Sequence, residues 1–224
     1  MVGGKHVFWQ ALVFTIFVFL IGLMLGTFLE VNRSDRIQSQ LMESEINLLD
    51  AQLREQTTKH FSFDCSSQIE SSFSFADKIY DEAVRLERYD SASKFLDGLK
   101  TVHKRYDLLR LILWIEAVEL KEKCPDQFHT VVYLYKYDVD DVDINSRQAF
   151  FSRLLLDTKN ANPDKILLIP IAANLDLDSI DLVLMNYGLT QDALPAIIVD
   201  EEEVISDIIS LEELRNVIFD SNKE

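Results

Sequence analysis

Between His6 and Glu30 the chain carries no charged side chain, and the run VFWQALVFTIFVFLIGLMLGTFL, Val7 to Leu29, is 23 residues long. As a helix it reaches about 34 Å, enough for a hydrocarbon core near 30 Å. A cleavable signal peptide has a shorter apolar core and a small-residue exit. Here the exit is Thr27-Phe28-Leu29-Glu30, and Trp9 falls where an interfacial aromatic belongs. The sequence therefore predicts an uncleaved single-pass anchor over residues 7–29, with membrane lipid as its first partner. Gly22 and Gly26 form a GxxxG pair within it. That spacing lets a second helix approach closely, so a homodimer packed on this face is one expectation.

The positive-inside rule does not orient the anchor, because Lys5 and the amino terminus on one side face Arg33 and Arg36 on the other. After the span, Asn32 to Lys59 holds no Gly or Pro. Met42, Ile46, Leu49 and Leu53 repeat at spacings of four, three and four, as in a heptad. We expect a helical stalk whose stripe packs on the helices that follow, or else on a second copy.

Two long helices come next. From Asp64 to Arg88 the residues Cys65, Ile69, Phe73, Ala76, Tyr80 and Ala83 mark one helix face. After a polar break at Tyr89 to Ser93, a second stripe runs Leu99, Val102, Tyr106, Leu109, Leu113, Ala117, Leu120 and Cys124, and Pro125 ends it. A short connection makes such helices antiparallel, which brings Cys65 to Cys124. They are the only two cysteines. Either they form a disulfide, which requires an oxidising compartment and places the soluble part outside the cytoplasm, or they are two buried thiols.

The pattern changes after Pro125. TVVYLYKY (130–137) and ILLIPIA (166–172) read as buried strands, with helical spacing over 145–160 between them, so the two strands should be parallel. Residues 179–187 form a helix stopped by Gly188. Ala196 to Asp200 and Val204 to Ser206 read as a hairpin, and Ser210 with Glu213 as the capping box of a last helix. The fold class is α/β: a transmembrane helix, a helical stalk and hairpin over 30–124, and a β-α-β-α-β-β-α domain over 127–219. With Tyr187-Gly188 ending a helix, Pro195 before an apolar strand and Leu211 to Ile218 as the closing helix, this stretch resembles the thioredoxin-like superfamily. The resemblance implies a cis-proline at Pro195 beside a groove that binds extended peptides. Redox members carry CxxC after the first strand, where a helix dipole lowers the thiol pKa. This chain has DVDDVDINS (138–146) there instead.

Several chemistries are excluded or unsupported. Formal charge is −16, and from Pro125 onward 20 acidic residues face 7 basic ones, so nucleic acid is not an expected partner. Asp141-x-Asp143-x-Asn145 opens like an EF-hand, but Ser146 stands where Gly is needed and Ser152 where Glu is, so no metal is expected. Apart from the first 26 residues the chain has only Gly98 and Gly188, which rules out a Walker loop or dinucleotide fingerprint. His6, His60, His103 and His129 are isolated from one another, and His103-Lys104-Arg105 reads as a polar helix face. No catalytic residue and no cofactor is assigned. The sequence points to a membrane-anchored, redox-inactive module that binds or positions a protein partner. Its rivals are a thiol–disulfide oxidoreductase using Cys65 and Cys124, and a purely structural membrane dimer.

Overall fold

The computed structural model describes residues 4–90 and 97–220. The chain forms two compact units, Met1–Ile46 and Asn47–Glu224. Helix α1 (Gly4–His60) runs through the first and gives its last turns to the second. Within it Phe8–Leu29 is long and apolar enough to cross a membrane, with a mean hydropathy of 2.6 and no side chain buried. The hydroxyls of Thr15 and Thr27 donate to Ala11 O (2.9 Å) and Met24 O (3.0 Å), so both are satisfied inside the helix, as an apolar solvent requires.

In the second unit, the last turns of α1 pack beside α2 (Cys65–Asp90) and α3 (Asp97–Lys123). The contact face is not the heptad stripe. Of that stripe, Leu49 and Leu53 lie in this unit and are 59% and 64% exposed, whereas Ala51 is 1% exposed. Arg54 lies 4.2 Å over the Phe75 ring, donates to Ser71 O and pairs with Glu116. A small residue and a long cation can pack helix on helix as well as an apolar seam, because the cation stem covers apolar surface. The expectation that the stripe packs on the following helices is therefore corrected for Leu49 and Leu53.

Helices α2 and α3 run antiparallel, since the start of one is bonded to the end of the other. The α3 stripe is buried from Val102 to Cys124. On α2 the buried residues are instead Ser72, Phe75 and Ile79, and Tyr80 is 52% exposed. The predicted stripe is half-buried at Cys65, Ile69, Phe73, Ala76 and Ala83, with Phe73 edge-on to Phe128 at 5.8 Å. The most buried face adjoins it, and of the predicted residues Tyr80 alone is exposed. Most of the polar break predicted between the helices lies outside the described residues.

Strands β1 (His129–Tyr135), β2 (Ile166–Ala172), β3 (Ala196–Val199) and β4 (Glu203–Ile205) form one sheet in the order β2-β1-β3-β4. β1 and β2 are parallel, and the other two pairs are antiparallel. A parallel pair needs a crossover, here α4 (Val142–Ala161). α5 (Asp178–Asn186), a single 3-10 turn at Gln191–Ala193 and α6 (Leu211–Asp220) complete the unit. One sheet face packs Val131, Tyr133, Ile197 and Val199 against Phe151 and Leu155 of α4 and Leu214 and Ile218 of α6. The other face is covered by α3, and the Tyr187 ring after α5 stacks on Trp114 of α3 at 5.9 Å. From Asn47 onward, the stretches expected as a helical part (30–124) and an α/β part (127–219) lie in one compact unit.

The Gly188 stop and the Ser210–Glu213 box read from the sequence are present in atomic detail, and the structure adds a further cap. Asp141 caps α4 by accepting from Asp143 N (2.9 Å) and Ile144 N (3.1 Å), which gives this acidic loop a structural role. Gly188 has φ +63°, the left-handed conformation that ends a helix at little cost to glycine. Ser210 N donates to Glu213 Oε2 (2.7 Å) and Glu213 N to Ser210 Oγ (3.2 Å), a reciprocal capping box.

Candidate functional site

Cys65 and Cys124 are joined in a disulfide with a Cα–Cα distance of 5.8 Å. Cys124 is buried, at 3% exposed. Asp64 prepares the same corner by accepting from Ser67 N and Ser67 Oγ, and these bonds lower its pKa. Gly22 and Gly26 lie on the apolar span, where a Cβ added to either meets nothing within 4 Å. Pro195 follows a cis peptide bond from Leu194, as the resemblance implies. Both residues are buried, and Leu194 is 1% exposed. The proline therefore forms part of the packed wall at the C-terminal end of β1, where Ala196 pairs with Leu134.

That end of the sheet is closed by side chains. Asn174 accepts from Tyr137 N (2.6 Å) and donates to Tyr137 O (2.8 Å), tying the exits of β1 and β2 together. The His103 ring lies 4.1 Å from the ring of Tyr137. Beneath them, on α3, is a buried ion pair that the sequence reading missed. Asp107 Oδ1 accepts from Arg110 Nη1 (2.9 Å) and from Ala172 N (3.2 Å), with Asp107 wholly buried and Arg110 7% exposed. Asp107 Oδ2 has no hydrogen-bond partner among the described residues. Burial pushes the Asp107 carboxyl up to about 6, against the pull of Arg110. The available signal was the position of Arg110 inside the apolar run LLRLILW, one turn after an aspartate.

A second polar cluster holds the β3–β4 turn. Asp200 and Glu201 both have positive φ, +50° and +65°, at positions that favour glycine or asparagine. Side chains hold them there. Lys121 Nζ donates to Asp200 Oδ1 (2.7 Å) and Glu201 Oε2 (2.8 Å). Trp114 Nε1 donates to Glu201 Oε1 (2.9 Å), and His129 Nδ1 lies 2.6 Å from Asp200 Oδ2. Burial alone would raise the Asp200 pKa, but the hydrogen bonds from His129 and Lys121 outweigh it and the pKa is lowered.

The candidate docking site lies at the free edge of β2. There a cleft of about 190 Å³ is lined by Ile79 and Tyr80 of α2, Leu113 of α3, Leu156 of α4, and Leu168 and Pro170 of the strand. Helices from both sheet faces supply its walls, so it straddles the strand edge. Lys159 closes one end by donating to Ile166 O (2.8 Å) and Pro163 O (2.5 Å) beneath the Phe73 ring at 4.6 Å. Burial lowers the pKa of Lys159. No sequence motif marks this cleft, because its walls come from four separate elements.

Comparison with known proteins finds no matching family model, no matching curated protein and no matching solved structure.

Proposed function

We propose that the chain is a membrane-anchored, non-catalytic docking module, in which residues 127–219 form a thioredoxin-like domain that binds or positions a protein partner. The fold reading is supported by the sheet order β2-β1-β3-β4 with only the first pair parallel, and by a proline set directly before β3. One observation carries the functional reading: both cysteines are spent at the wrong end of the sheet for thiol chemistry. Cys124 precedes the start of β1 and is bonded to Cys65, whereas Pro195 stands by the other end of β1. At that end, where redox relatives carry thiols, this chain has Asp138 to Asp141. The bridge also favours an oxidising compartment, hence a soluble domain on the extracytoplasmic side of the cell membrane. Self-association is a second reading, favoured by the GxxxG spacing of Gly22 and Gly26 and the exposed Leu49 and Leu53.

The test is a photo-crosslinking residue placed at Tyr80 in the full-length chain in its native membrane, with the same residue at Leu182, 65% exposed on α5, as control. A discrete adduct with a second protein at position 80, absent at 182, supports docking. No adduct at 80, or insulin reduction by the purified chain that is lost in Cys65→Ser, overturns the reading.

A further inference from the structure

We infer that the β2 cleft takes a short extended peptide of the partner, which pairs its main chain with Leu168 and seats one bulky apolar side chain between α2 and α4. The inference rests on the docking reading above and narrows its chemistry. The hydrogen bonds from Ala173 N to Tyr135 O and from His129 N to Lys165 O, both 2.8 Å, turn the odd-numbered residues of β2 toward β1. In a parallel ladder the alternate residues then face outward, here Ile166, Leu168, Pro170 and Ala172.

Both ends of that edge are already engaged. Ile166 N donates to Asn162 O (3.2 Å), and Ile166 O accepts from Lys159. Ala172 N donates to Asp107 Oδ1, and Pro170 has no N–H. These devices blunt an edge strand against open-ended sheet addition. They leave a short window: the N–H and C=O of Leu168 and the C=O groups of Pro170 and Ala172, none of which is reached by a hydrogen bond among the described residues. A second sheet edge needs a longer row of free groups, and an acyl chain offers none to the Leu168 N–H. A peptide residue supplies both a donor and an acceptor.

The cleft beside this window fits the accompanying side chain. An apolar cavity of about 150 Å³ holds a benzene ring. At about 190 Å³ this cleft matches one aromatic or branched aliphatic group. Tyr80 and Leu156, 52% and 42% exposed, form its mouth. Asp77, Arg110 and Lys159 line the cleft together, with Arg110 paired with Asp107 and Lys159 facing the Asp77 charge, so the cleft itself sets no charge. The net charge of −16 over the whole chain is what favours a lysine or arginine in the peptide flank. Lys159 is already held by two carbonyls and the Phe73 ring.

The experiment uses the full-length chain in nanodiscs and pools of capped pentapeptides with random flanks, a lysine beside the centre, and Phe, Leu, Ala or Asp fixed at the centre. Phe- and Leu-centred pools should be retained at least about tenfold over Asp-centred ones, as burial of one large apolar side chain allows. Retention should be lost on N-methylation of the central amide and in Leu156→Arg, and the Leu168 amide should gain protection from hydrogen exchange. Equal retention of all pools, insensitivity to N-methylation, or displacement by dodecanoate without peptide preference overturns the inference. A cellular adduct at position 80 combined with indiscriminate pools would keep the docking reading and overturn this one.

Discussion

Asp107 and Arg110, one helical turn apart on α3, form a buried ion pair whose acidic member also holds the main-chain N–H of Ala172 on the sheet edge. Removing one partner of such a pair strands the other charge out of water. Arg110→Met should therefore destabilise the fold by about 3–5 kcal/mol. Urea unfolding of the two proteins side by side measures it.

The same pair gives a pH signature. The Asp107 pKa is raised in the folded state, from 3.8 to about 6, so its stabilising contribution is complete below 3.8 and is lost as the pH rises through about 6. The loss is about 3 kcal/mol at most. Asp107→Asn should flatten stability against pH over that interval. An unchanged slope in the variant would show that the carboxyl does not titrate there.

Lys121 joins two carboxylates, Asp200 and Glu201, that already sit in left-handed conformations. Lys121→Met should cost about 1–3 kcal/mol at neutral pH. The Asp200 pKa is lowered in the native fold, so its contribution is present above 3.8 and lost as the pH falls. The cost of the variant should therefore shrink in acid. Thermal melts at neutral and acidic pH check both points.

The disulfide closes a loop with a sequence separation of 59. Its removal by Cys65→Ser or Cys124→Ser should lower stability by about 2–5 kcal/mol. Native wild-type chain should show no thiol to a maleimide reagent until it is unfolded and reduced.

Gly22→Ile adds a side chain where nothing lies within 4 Å, so it leaves the fold of the single chain undisturbed. Any loss of crosslinked dimer in the membrane would then report a helix–helix contact. Equal crosslinking of wild type and variant removes this glycine from any association.

Legibility in the sequence followed the number of elements each feature needs. The α3 stripe and the β2 strand were readable because each is set by one local period, and Gly188 and the Ser210–Glu213 box because each is a local hydrogen-bonding device. The α2 stripe was placed beside the most buried face, since Phe75 and Ile79 share helical spacing with the neighbouring, half-buried Ile69, Phe73 and Ala76. The α1 stripe was misplaced because burial of Ala51 and Arg54 depends on α2 and α3. Asp107 looks like an ordinary surface charge until the sheet covers it, and only the apolar run around Arg110 hints otherwise. The β2 cleft exists only where α2, α3, α4 and the strand meet.

The position of Lys121 and Trp114 on α3 changes what counts as a foldable piece of this chain. A fragment beginning at Pro125 would carry every strand, and His129 with its contact to Asp200, yet lose the Lys121 cation from Asp200 and Glu201, the Trp114 indole from Glu201 and the Asp107 carboxylate from the Ala172 N–H. The helix before Pro125 is the other half of the sheet's binding chemistry. Any excision meant to keep the sheet native has to start upstream of α3, and one meant to keep the cleft has to start upstream of α2.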